Sequence, residues 1–204
     1  MEAVAGLHVP RVPGIGHLQA ERLGLRIVRD YRADLLVRPI PFPVEDFFEF
    51  YLFERYRLRT GPADLPPWIE GITYPDGTIC ISASTYEALY KGHPRARFTA
   101  VHEAVHGILH RPFLQHLQRE WVDGRHITLY RRHELPPYTD PEWQANRIAE
   151  AILMPLPVVL DLIRQHGPDP WRLAVTFNVS YSAARVRISH LRRLGLISPG
   201  GAKR

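Results

Sequence analysis

Five consecutive residues, His102-Glu103-Ala104-Val105-His106, constrain this chain more than any others. They lie in a run with apolar residues at Phe98, Val101, Val105, Ile108 and Leu109, so the spacing predicts a helix from Pro94 to about His110, ended by Arg111-Pro112. Side chains four apart share one helical face about one turn apart, so both imidazoles reach a single ion. Glu103 points roughly 100° away, beside an ion-held water rather than on the ion. Neutral imidazole and carboxylate suit zinc, and a catalytic zinc keeps three protein ligands and one water. A second element must therefore supply the third ligand.

The choice lies among Glu120, Asp123, Glu134, Asp140, Glu142, Glu150 and His110. His110 continues the series, but eight residues of helix span about 12 Å, too far to share an ion with His102. It reads instead as a helix-end residue facing the last carbonyls. Asp140-Pro141 is a helix start, a capping Asp followed by Pro at the first position, and the helix runs to Leu153. Its apolar face is Ala145, Ala149, Ile152 and Leu153. Glu142 falls within that face, whereas Glu150 falls well outside it and is explained by solvent. A carboxylate on a buried face must be paired or bind a metal. For Glu142 the rival is a buried ion pair with an arginine.

Composition narrows what such a site is made of and where it works. Cys80 is the only cysteine, so no internal disulfide forms and any metal site uses His and carboxylates. Placed in the second strand of a hairpin, it reads as a buried small side chain. The start, MEAVAGLHVPRVPG, is not a secretory leader, and no window approaches the roughly 18 apolar residues of a membrane span. A cytoplasmic protein with no membrane partner is expected. The charge of +5 is unevenly placed: after Asp169 there is no acidic residue, while Arg172, Arg185, Arg187, Arg192, Arg193, Lys203 and Arg204 are basic. Such a tail suits an anionic partner such as nucleic acid, or is a solvated basic face with no ligand.

Elsewhere, residues 16–28 are weakly helical, and Pro39-Ile40-Pro41-Phe42-Pro43 is an extended connector. Val44, Phe47, Phe48, Tyr51 and Leu52 then predict a second helix. Trp68 to Tyr74 and Thr78 to Ser82 read as a hairpin around Pro75-Asp76-Gly77. Residues 112–139 read as a long loop with at most one short strand near 125–130, a length that is often functional. The segments 157–166, 170–177 and 181–194 read as three short helices. The fold class is α+β, divided into 1–155, with the hairpin and the His-Glu helix, and a helical unit with a basic tail at 156–204.

Arg97-Phe98-Thr99 ahead of His102-Glu103-x-x-His106, then Glu142-x-x-Ala145-Asn146-x-x-Ala149-x-x-Leu153-Met154-Pro155, resembles the ImmA/IrrE metallopeptidases. So do the Pro-Ile-Pro connector, the hairpin, and Phe177-x-Val179-Ser180 followed by Arg187-x-x-x-Leu191-x-x-Leu194-Gly195. The likeness spans roughly residues 16–197. It implies a zincin-like metallopeptidase core in which His102, His106 and Glu142 bind one zinc ion and Glu103 is catalytic, followed by a helix-turn-helix-like bundle. It also implies site-specific cleavage of a helix-turn-helix repressor as the activity. Ala104-Val105 departs from the family's more frequent Gly before the second His.

His126, His133 and Tyr138 are candidates for a second donor to the developing oxyanion, and one hairpin strand could pair with an extended substrate. A different class of reading makes the chain a DNA-binding regulator with a structural or vestigial metal site. Arg185, Arg187, Arg192 and Arg193 would then contact phosphate, although Val186, Ile188, Leu191 and Leu194 suggest that this helix packs on a core. A third reading is a toxin–antitoxin partner that acts by binding.

Overall fold

The structure, a computed structural model, describes residues 8–123, 129–131 and 134–198. It is a mixed helical fold with a small sheet. Strand β1 (His8–Pro10) leads into α1 (His17–Arg32), whose buried Ala20, Glu21, Gly24, Ile27 and Val28 recur at helical spacing. At Gly24 a β-carbon would stand 2.6 Å from Cβ of Ala151, so only glycine lets α1 and the helix carrying Ala151 come this close.

The aromatic helix expected after the proline connector, α2 (44–56), is present as Val44–Asp46, a widened turn Phe47–Tyr51, and Leu52–Tyr56. Val44, Phe47, Phe48 and Leu52 are all fully buried. A three-stranded sheet follows, in which β4 (Thr78–Ser82) lies between β2 (Arg59–Ala63) and β3 (Gly71–Thr73). The β3–β4 hairpin turns at Gly77 with φ 92° and pairs Ile72 with Cys80, as its turn chemistry predicts, but β3 is shorter than the expected Trp68–Tyr74. Ile79 and Ile81 of β4 point into the core, and Cys80 is only half-buried. Strand β2, parallel to β4, was not legible because Pro62 lacks an N–H donor; such a residue is tolerated where a strand has an open edge.

Helix α3 (Ala83–Tyr90), capped by Ser82, leads to α4 (Pro94–Val105). Here the structure corrects the sequence reading. Arg111-Pro112 does not end the helix: a wide turn at His106–His110 joins α4 to α5 (Arg111–Val122). Proline breaks a helix by lacking an N–H and clashing with the carbonyl four residues back. The wide turn gives the Arg111 N–H to the His106 carbonyl, five residues back, and places Pro112 in the first turn of a new segment. The expected loop at 112–139 is therefore helical to Val122, and β5 (Leu129–Arg131) pairs antiparallel with β1.

Helix α6 (Pro141–Leu153) starts as expected, with Asp140 Oδ1 accepting the Glu142 N–H at 2.9 Å. The three C-terminal helices are α7 (Leu156–His166), α8 (Pro170–Phe177) and α9 (Tyr181–Arg193). Asn178, at φ 50°, makes the turn between α8 and α9. One apolar core runs from Ile15 to Leu191 and takes residues from either side of position 155.

An ionic knot ties α9 to the body and overturns two expectations. Glu150 is not a solvent-facing residue: it is buried, with Arg147 at 2.6 Å, His190 at 3.1 Å and Arg187 at 3.6 Å. Arg187 is not a surface phosphate contact either, because it is fully buried, ion-paired with Glu21 and donating to the Met154 carbonyl at 2.9 Å. The periodicity of a single helix carries no sign that α1 places Glu21 opposite Arg187. Among the described residues, no helix is long and apolar enough to cross a membrane.

Candidate metal centre

His102 and His106 face the same way from the end of α4, with ring centroids 4.8 Å apart. The second residue of α6, Glu142, meets them. Its Oε2 lies 3.3 Å from His102 Nε2 and its Oε1 3.2 Å from His106 Nε2, and the two Nε2 atoms are 3.1 Å apart. All three ligand atoms lie within 4.8 Å of one another. Ligands about 2.0–2.1 Å from a tetrahedral zinc stand roughly 3.3 Å from each other, so the donor set fits a zinc-sized divalent ion. The chemistry agrees: two imidazole nitrogens and a carboxylate are all acceptors when neutral or ionised, and a cation satisfies all three.

The electrostatics carry the same mark. Burial opposes the charge on Glu142, but the two imidazoles outweigh it and hold the carboxyl well below the usual carboxylate range. Burial likewise opposes protonation of His102, and the facing Glu142 carboxylate reverses this and raises it. The protein has gathered groups that need positive charge.

Glu103 is buried against β3. Its Oε2 lies 2.8 Å from the Thr73 hydroxyl, which is also 3.0 Å from the Glu103 carbonyl. At Gly71 a β-carbon would stand 2.6 Å from Glu103 Cγ, so the strand leaves this carboxylate room only because residue 71 has no side chain. A cleft of about 760 Å³ opens here, walled by Trp68, Ile69, Ile72, Phe98, Phe113 and Leu114, with His102, Glu103, His106 and Glu142 at its floor.

The other sequence candidates fare differently. His126 and His133 lie outside the described residues. Tyr138 is half-exposed, with its ring against Gly14, and is not among the described residues that line the cleft. Arg185, Arg192 and Arg193 are exposed along α9, whereas Arg187 is interior.

Sequence reasoning missed the groups behind the ligands. Asn146 Oδ1 is 3.0 Å from His102 Nδ1. His110 is no ligand, as its distance required, but it does not face the helix-end carbonyls. It is buried, with Nδ1 2.9 Å from His106 Nδ1 and Nε2 3.0 Å from Gln144 Oε1. Burial, with His106 beside it, lowers its pKa to about 4. Its i+4 spacing from His106, and that of Asn146 from Glu142, were the available signals.

Comparison with known proteins agrees with this picture. A solved structure of a Mycobacterium tuberculosis transcriptional regulator has a similar fold, with a TM-score of 0.57 and 15% identity over 84% of this chain. That likeness speaks for the fold alone, and this chain spans about half of that one, 46% of its length. None of the curated proteins compared with the chain matches it. The model of peptidase family M78, described as an IrrE N-terminal-like domain, matches residues 88–189, which hold every member of the His102/His106/Glu142 set and Glu103. The chain therefore belongs to peptidase family M78, the ImmA/IrrE group that its motifs resemble.

Proposed function

We propose that the chain is a zinc-dependent endopeptidase that cuts a regulatory protein, a helix-turn-helix repressor, at one site in the cytoplasm. The convergence of His102, His106 and Glu142 within 4.8 Å beside Glu103 carries this reading. A zinc ion held by His102, His106 and Glu142 would polarise a carbonyl and bring the pKa of a water to about 7. The chain's own residues do the rest. His102 and His106 present nitrogen lone pairs, Glu142 supplies the negative charge, and Thr73 aims the Glu103 carboxylate. Glu103 takes the proton of the attacking water and returns it to the leaving amine, general base first and general acid second.

The cleft suits an extended polypeptide. Strand β3 is an outer strand of its sheet and lines the cleft, so its backbone can hydrogen-bond to a substrate strand laid beside it. Trp68, Ile69, Phe98 and Phe113 offer apolar walls to the side chains that flank the scissile bond.

The test is incubation of the purified protein with any helix-turn-helix repressor found encoded beside it, with and without chelator, next to a Glu103→Gln control. One discrete cut is expected from the metal-loaded parent alone. Equal cutting by Glu103→Gln, or by the chelated parent, would overturn the reading.

A second reading, nucleic-acid contact through the C-terminal helices, has an observation of its own. Trp171 packs at a tilt against Tyr181 with ring centroids 4.6 Å apart, the Arg185 guanidinium lies 6.0 Å from the Tyr181 ring centroid, and Arg192 and Arg193 of the same helix are also exposed. Titration with DNA at two salt concentrations tests it: phosphate contacts give an affinity that falls steeply with salt, and a flat response removes it.

A further inference from the structure

We infer that His110 and Gln144 are positioning residues that lock His106 into one tautomer, with its Nε2 lone pair aimed at the point shared with His102 and Glu142. The inference rests on the reading of His106 as a metal ligand.

The carbonyls of Pro13 and Tyr138 can only accept. Both lie 2.8 Å from the Gln144 amide nitrogen. A side-chain amide has two N–H donors and one oxygen, so both protons of Gln144 are used and its Oε1 must face the other way. There it meets His110 Nε2 at 3.0 Å. That oxygen only accepts, so His110 Nε2 carries a proton. A neutral imidazole has one donor and one acceptor, which leaves His110 Nδ1 bare. Facing it at 2.9 Å is His106 Nδ1, which must therefore donate. The Nε2 of His106 is then the bare atom, 3.2 Å from Glu142 and 3.1 Å from His102 Nε2.

Reversing the chain would set an amide oxygen against two carbonyl oxygens. Gln144 is 1% exposed and His110 3% exposed, so water cannot rescue that arrangement. The anchors lie far apart in sequence: Pro13 follows β1, and Tyr138 precedes α6. The ligand atom is thus oriented by two backbone carbonyls far from it in the sequence. Asn146 plays the shorter version of this part for His102. Outer partners of this kind change metal affinity by about 10- to 100-fold.

The experiment has two arms. Long-range proton–nitrogen NMR of the metal-free protein, labelled with 15N-histidine, should show His106 protonated at Nδ1 and His110 at Nε2. Zinc affinity by chelator competition should fall by about 10- to 100-fold in His110→Phe and in Gln144→Leu. Ile148→Val, a core change off the chain, should keep the parent's affinity although it loosens the fold. His106 protonated at Nε2 in the parent spectrum would overturn the inference, as would both variants binding zinc within twofold of the parent. If His110→Phe does not fold, the parent spectrum decides. A protein that shows the expected tautomers and affinity losses yet cuts no peptide leaves this inference standing and removes the peptidase reading. A protein that cuts its substrate while both variants bind zinc normally removes this inference alone.

Discussion

Two acidic residues on one helix, Glu142 and Glu150, sit two turns apart in α6 and meet opposite fates. Glu150 lies in a closed interior and is answered by arginines from two helices and by His190. Glu142 is only half-buried, and it faces two imidazoles at the floor of a cleft. The first cluster is complete as it stands: the guanidiniums of Arg147 and Arg187 supply fixed positive charge. The second is a set of acceptors aimed at one point and open on one side. A buried acid with its cation built in is architecture; a half-buried acid at a cleft floor with acceptors for neighbours suits a cation.

The comparison breaks most readily at Glu103, which belongs only to the open cluster. Glu103→Gln should lower peptide hydrolysis by about 100- to 10,000-fold, the usual contribution of a general base, with an unchanged melting curve. Steady-state cleavage assays and calorimetry check both halves. On the closed side, Arg187→Ala should leave activity per folded molecule intact and destabilise the protein. Losing one partner of a buried charge cluster costs about 3–5 kcal/mol, readable as a shift in the urea midpoint.

Zinc separates the two clusters further. At 100 times its dissociation constant, a ligand bound only by the folded state adds about 2.7 kcal/mol. The parent should gain that in thermal stability, and His106→Ala should gain almost none. Arg187→Ala should respond like the parent. An equal zinc response in His106→Ala would erase the distinction between the two clusters.

Acid gives the smallest effect. Burial pushes Glu150 up, but His190, Arg187 and Arg147 outweigh it and hold the group below its ordinary value of 4.5. The unfolded chain therefore binds the proton more readily. The stability this group contributes is fully present above its unfolded pKa and fades as pH falls through the folded one. The melting temperature should drop between pH 5 and pH 3, and Glu150→Gln should flatten part of that drop. A parallel fall in both proteins would remove Glu150 from the account.

Much of the site was legible in the chain because its rule is local. Two histidines four apart on a helix must share a face, and Glu142 lies on the apolar face of its own helix; both follow from helical periodicity. Thr73 and Gly71 were not legible in the same way, since nothing in the hairpin says which residue will touch Glu103. Helix length places His110 too far from His102 to be a ligand but does not say where its ring points. The turn that buries it is wider than an ideal helix, and its partner, Gln144, comes from α6.

The sequence by itself determined the helix that carries His102, the start of α6 at Asp140-Pro141, the hairpin turn and the spacing of the candidate ligand residues, because each depends on neighbours within a few positions. Only the tertiary structure decided which charges are answered. Glu21 reaching Arg187, Gln144 reaching His110 and Thr73 reaching Glu103 are meetings across 166, 34 and 30 residues. The free energy of a buried polar group depends on whichever atom the folded chain brings within about 3 Å of it. Local periodicity carries no record of that atom.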